Sequence, residues 1–150
     1  MTSKPVIAKA PPRKTAQQVF NSVMAHLYRQ NYQANSGSGV DRQCMYRTEA
    51  GLACGVGGLI TDREYRDTFE GATADCLIAN KDDPRYKTFP KTLSQHSDLL
   101  LDLQMLHDDH FEHGFTRDFR NLAVGVANMH NLDNSFVKSL RARRPHKSTA

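Results

Sequence analysis

Tryptophan is absent from this 150-residue chain and cysteine occurs three times. Phenylalanine and tyrosine supply all of its 8% aromatic content, so the core must be built mainly from aliphatic side chains. Cys44, Cys54 and Cys76 are odd in number and show no CxxC spacing, which argues against a disulfide framework and a four-cysteine zinc site. They read as reduced thiols in a reducing compartment. Long apolar runs are also missing: none approaches the roughly 20 residues that span a bilayer, and MTSKPVIAKAPPRK lacks the apolar stretch and cleavage pattern of a secretory signal. The expectation is a soluble cytoplasmic protein with no membrane partner.

Acid is lacking at both ends. The formal charge is +4 and the pI near 9.1, but residues 1–14 and 138–150 hold nine Lys/Arg and no Asp or Glu. Subtracting them leaves eleven bases against sixteen acids over residues 15–137, a charge of −5. Basic character is peripheral, whereas a dedicated nucleic-acid domain carries it on its folded face. Nucleic acid is therefore open as a partner only through the tails, with affinity that falls steeply with salt.

What is present reads as one domain. Residues 1–14 are a flexible basic arm, residues 15–140 a single globular domain and residues 141–150 a flexible basic tail. Thr15-Ala-Gln-Gln18 is a capping box, and Val19, Phe20, Val23, Met24, Leu27 and Tyr28 predict an apolar helical stripe to about residue 31. Asn35-Ser-Gly-Ser-Gly39 closes it in a loop. Cys44–Arg47 and Leu52–Val56 flank a Gly51 turn and predict two short antiparallel strands. Thr61 is placed to cap a short helix with Asp62 and Glu64 in its first turn. Cys76–Ala79 fits a single helical segment. Leu99, Leu100, Leu103 and Leu106 mark a central helix over 97–110, Gly114 and Thr116 a stop and a new cap, and Asn134 the cap of a last helix. The fold class expected is α+β, mainly helical: three to four helices packed with one short β-hairpin.

Four groups could carry chemistry. Gly55-Val-Gly-Gly58 has neither Walker A nor dinucleotide spacing, so its glycines read as a bend. Cys44 and Cys54, on opposite arms of the hairpin, could face one another, and with Cys76 approach a metal, but a fourth ligand is wanting. His107, His110 and His113 recur every three residues, so two of them plus a carboxylate could hold a transition metal if the helix continues; HxxHxxH is not a zinc-enzyme spacing, and Gly114 signals the helix end. Arg47, Asp62, Glu64, Tyr65 and Glu70 combine a planar cation, carboxylates and a phenol, able to bind a small polar ligand or to pair internally.

The pattern Cys44-x-Tyr46-Arg47, Gly51-Leu-x-Cys54-x-Val56-Gly57-x-Leu59-Ile60, Asp62-x-x-Tyr65, Glu70-Gly71 and Leu103-Gln104-x-x-His107-Asp108 resembles a family of small uncharacterised bacteriophage and bacterial proteins. The likeness spans about residues 15–132 and carries no activity. It implies a stand-alone accessory protein, phage-encoded and acting in the host cytoplasm, with the hairpin that carries Cys44, Tyr46, Arg47 and Cys54, together with His107-Asp108, as the shared surface. The resemblance also implies proline where Thr61 stands and a small residue or cysteine where Gly58 stands, so both positions read as poor site candidates. The reading is a non-enzymatic protein that binds a host protein or a small signalling ligand and needs no cofactor. A metal-dependent hydrolase at His107, His110 and His113 and a nucleic-acid binder acting through the tails are the alternatives. The apolar stripes leave homo-oligomerisation open.

Overall fold

The computed structural model describes residues 14–36 and 43–147; the basic arm up to residue 13, the loop glycines 37 and 39, and residues 148–150 lie outside the described residues. Among the described residues five α-helices follow in order: α1 (Ala16–Gln30), α2 (Ala74–Ala79), α3 (Ser97–His110), α4 (Arg117–Met129) and α5 (Ser135–Ser139). Among the described residues, no helix is long and apolar enough to cross a membrane.

α1 begins where its capping box places it. The Gln18 N–H donates to Thr15 Oγ1 at 3.1 Å, and the Thr15 N–H donates to Gln18 Oε1 at 2.9 Å. Val19, Phe20, Val23, Met24 and Leu27 are buried along one face, as the i, i+4 spacing demands. Asn31 ends the helix in the left-handed region at φ 56°, a conformation asparagine tolerates better than most residues. The carbonyls at this end are met by side chains of the C-terminal segment: Arg143 lies 3.9 Å over the Tyr28 ring and donates to the Tyr28 carbonyl, while His146 Nε2 bonds the Asn31 carbonyl. The Arg143 charge at this end complements the helix dipole. His146 also stacks on Tyr32 with centroids 4.4 Å apart, so Arg143 and His146 make specific contacts with the domain.

α3 is the central helix, with Leu99, Leu100, Leu103 and Leu106 buried. It packs against α1, α2 and α4. A turn at Gly114 sends the chain back into α4, whose first turn is capped by Thr116 Oγ1 accepting the Phe119 N–H at 3.2 Å. Gly114 has φ +86°, and a Cβ there would fall 2.5 Å from Asn31 Oδ1, so only glycine fits. Phe111, Phe115 and Phe119 interlock there, with successive contacts to Phe119 at 4.7 and 5.1 Å. One contiguous core runs from Val19 to Val137.

The expected β-hairpin does not form: the described residues contain no β-strand and only two isolated antiparallel bridges, Asn35 with Cys44 and Arg47 with Ala53. The fold is therefore mainly helical, and not α+β. The reason lies in where the backbone groups of this stretch are satisfied. Cys44–Tyr46 runs beside the end of the loop after α1, with the Met45 N–H donating to the Ala34 carbonyl at 3.0 Å. The Tyr46 and Arg47 N–H groups go to the Glu70 carboxylate, and the Ala53 N–H goes to Gln30 Oε1. A turn at Thr48–Gly51 remains, closed by Thr48 N–H to Leu52 carbonyl at 2.8 Å. One further element is shorter than expected, and one cap is made by a different side chain. Thr61 and Glu64 cap one another reciprocally, but Arg66 is extended at φ −139° and only a single turn forms. Before α5 it is Asp133 Oδ1, and not Asn134, that accepts the Ser135 N–H, at 2.7 Å.

Candidate ligand cleft

Glu70 organises the stretch that would have been the hairpin. Its Oε1 accepts the Tyr46 N–H at 2.9 Å, and its Oε2 accepts the Arg47 N–H at 3.2 Å and the Tyr65 hydroxyl at 2.6 Å. Burial and this carboxylate push the Tyr65 phenol well above its usual range, so it stays a donor at any physiological pH. Behind it, the Tyr46 hydroxyl donates to the Ala72 carbonyl at 2.6 Å and accepts from Gln104 Nε2 at 2.9 Å. Gln104 Oε1 in turn accepts the Ala74 N–H at 2.7 Å. One glutamate and one buried glutamine thus join three loops to α3.

Arg47 is fixed by this frame at its backbone and by three contacts at its guanidinium. Nη2 donates to the Ile60 carbonyl, Nη1 pairs with Asp62, and the group lies 4.9 Å over the Tyr65 ring. The two charges are unequally held: the Arg47 side chain is 26% exposed and that of Asp62 98%. An ion pair with one fully solvated partner contributes little to stability.

Beside Arg47 opens a cleft of about 460 Å³, walled by His26, Thr48, Leu52, Ala53 and Gly58 as well as Arg47 and Asp62. The volume lies within the range of small-molecule sites. His26 belongs to α1, three residues after buried Val23 and one before buried Leu27. It bonds the Ala53 carbonyl through Nε2 at 2.9 Å; a carbonyl can only accept, so the proton sits on Nε2 and Nδ1 is a bare acceptor. Burial lowers its pKa. Gly58 lets the loop lie against this ring, since a Cβ there would come within 2.7 Å of it. The nearby Gly57 and Gly58 N–H groups are spent on Cys54, at 3.2 Å to Sγ and 2.9 Å to the carbonyl, so they do not cradle an anion.

The other expected residues fall apart into separate places. Cys54 is buried and its thiol is pushed up to about 12 by burial, which makes it a poor nucleophile. It does not sit opposite Cys44, whose bridge partner is Asn35. Glu64 is used in the Thr61 turn. His107 is fully buried, whereas His110 is exposed in the last turn of α3 and His113 lies past the helix end, bonded to the His146 carbonyl at 2.8 Å. The triple-histidine face therefore stops at the helix terminus.

Cys44, His107 and Asp108 do approach one another, with ligand atoms all within 4.8 Å. The hydrogen bonds of His107 work against a metal there. Its Nε2 accepts the Ala34 N–H at 3.1 Å, so the ring proton is on Nδ1, where it meets Asp108 Oδ1 at 2.9 Å. A metal on Nδ1 would need that proton moved to Nε2, facing another N–H. Gln33 completes a structural clasp by donating to the His107 and Asp108 carbonyls at 2.8 and 3.0 Å.

Arg47, Asp62, Tyr65 and Glu70 thus converge as one constellation, with Tyr46 behind it. His26, Gln30 and Gln104 were missed from the sequence; the only signal for His26 was its position at the edge of the α1 stripe. No family model, curated protein or solved structure matches the chain.

Proposed function

We propose that the chain is a small accessory protein that binds its target without turning over a substrate, and that the cleft beside Arg47 is where a small polar ligand is held. The observation that carries this is the combination of a cleft of about 460 Å³ with a guanidinium held at its rim by the Ile60 carbonyl and the Tyr65 ring, on a backbone fixed by Glu70. Pre-organised polar groups lower the ordering cost of binding. The groups around them are tied up structurally: Cys54 is a high-pKa thiol, the Tyr65 phenol donates to Glu70, and the His107 ring is saturated. The same saturation weakens the metal-hydrolase alternative. An action in the host cytoplasm on a bacterial component follows from the resemblance to phage and bacterial proteins and belongs to the proposal.

The test is a small-molecule screen by amide NMR on wild-type protein and Gly58→Val, whose side chain would push into the His26 ring. A compound that shifts Ala53, Gly58 and the Arg47 side chain in wild type, and loses its effect in Gly58→Val, supports the reading. Chemical conversion of such a compound by the protein, or a screen in which no compound moves these signals, contradicts it.

A further inference from the structure

We infer that Arg47 is the receptor for an anionic group, carboxylate or phosphate, of the ligand, and that Asp62 is an internal carboxylate the ligand displaces. The inference rests on the reading of the cleft as the binding site and adds the chemistry of what enters it.

Three ionisable side chains line the cleft: His26, Arg47 and Asp62. Asp62 is its one acid, and it is spent on Arg47. A carboxylate that turns away leaves a cleft with one full positive charge and no negative one. The exposures make that exchange easy. Asp62 stands almost wholly in solvent on a single reciprocal turn, while Arg47 is held from behind by the Ile60 carbonyl, the Tyr65 ring and the Glu70-bound backbone. The exposed partner can leave without the fixed one moving. A guanidinium offers five N–H donors in a planar fork, of which Asp62 and Ile60 engage one on each terminal nitrogen. The fork suits a carboxylate or phosphate bound through two oxygens, which improves on the single-oxygen contact Asp62 makes. His26 also lines the cleft, and burial disfavours its charged form.

The cleft offers one full positive charge in about 460 Å³. A small, singly or doubly charged molecule is the class that fits.

The experiment is an NMR titration of the full chain with acetate, inorganic phosphate, AMP and adenosine, following the Arg47 Nε–H and the Ala53, Gly58 and Ile60 amides. Acetate and phosphate separate the two anion sources; AMP and adenosine differ only in the anionic group. The expected result is that at least one anion shifts Arg47 together with the cleft amides while adenosine is silent or much weaker. Asp62→Asn should tighten that anion about two- to fivefold, as removal of an exposed competing charge allows. Arg47→Lys, which keeps the charge and loses the fork, should weaken it about tenfold. Asp62 is solvent-exposed, so its variant keeps the fold, and unchanged circular dichroism verifies this for both. Adenosine binding as tightly as AMP, an unaltered affinity in Asp62→Asn, or an anion effect that survives Arg47→Gln overturns the inference and leaves the cleft reading standing. Silence of Arg47 under all three anions also overturns it; the cleft reading falls only if the broader screen fails as well.

Discussion

The helical frame and the stretch from Cys44 to Ala74 solve the same problem by opposite means. In α1, α3 and α4 the backbone is satisfied within each helix, and apolar side chains meet neighbouring elements. Between Cys44 and Ala74, buried backbone groups are satisfied by side chains that arrive from afar: Glu70 on Tyr46 and Arg47, Gln30 and His26 on Ala53, Gln104 on Ala74. The first arrangement is stabilised by burial spread over many contacts. The second depends on a few polar atoms whose loss leaves buried donors unpaired, and it is the one that forms the cleft.

Substitutions should separate the two regions, beginning with the largest effect. Leu100→Ala removes a fully buried α3 side chain and should cost about 2–5 kcal/mol, read as a lowered denaturation midpoint for the whole domain. Gln104→Leu keeps the volume but strands the Ala74 N–H and strips a donor from the Tyr46 hydroxyl; about 1–3 kcal/mol is expected, and Gln104→Ala should not be milder. A pH series singles out His26. Its pKa lies below the ordinary 6.5 in the fold because burial disfavours the cation. The unfolded chain therefore takes up the proton first as pH falls. The stability His26 contributes is full above 6.5, declines as pH drops below that value, and levels off once the folded form is protonated too. His26→Gln, which can still donate to the Ala53 carbonyl, should flatten this part of the urea-midpoint profile. The smallest change is Asp62→Asn, within about 1 kcal/mol of wild type by thermal melting; a larger loss would mean that Asp62 is structural and not displaceable.

The same contrast explains what could be read from the residues. The capping box at Thr15, the leucine spacing from Leu99 to Leu106, Gly114 and the Thr116 cap are local signals, and each element they mark is present. The hairpin expected around Gly51 does not form because a turn glycine is an equally local signal, while the competitor for the Tyr46 and Arg47 N–H groups sits 24 and 23 residues away at Glu70. Nothing near Arg47 announces that competition. Arg47, Asp62, Tyr65 and Glu70 could be grouped because they are close in sequence; His26 and Gln104 could not, since both come from helices whose pattern reads only as core-facing. His107 shows the converse. A histidine beside an aspartate suggests chemistry, and only the Ala34 N–H, 73 residues away, shows that the ring is already committed.

The most direct test of this account is amide hydrogen exchange in Glu70→Gln against wild type. Losing the charged acceptor should cost about 1.5–3 kcal/mol and selectively speed exchange at Tyr46 and Arg47, with the α3 amides following only the global loss. Tyr46 and Arg47 amides that keep their extra protection in the variant would show that a strand ladder, and not the Glu70 carboxylate, holds this segment.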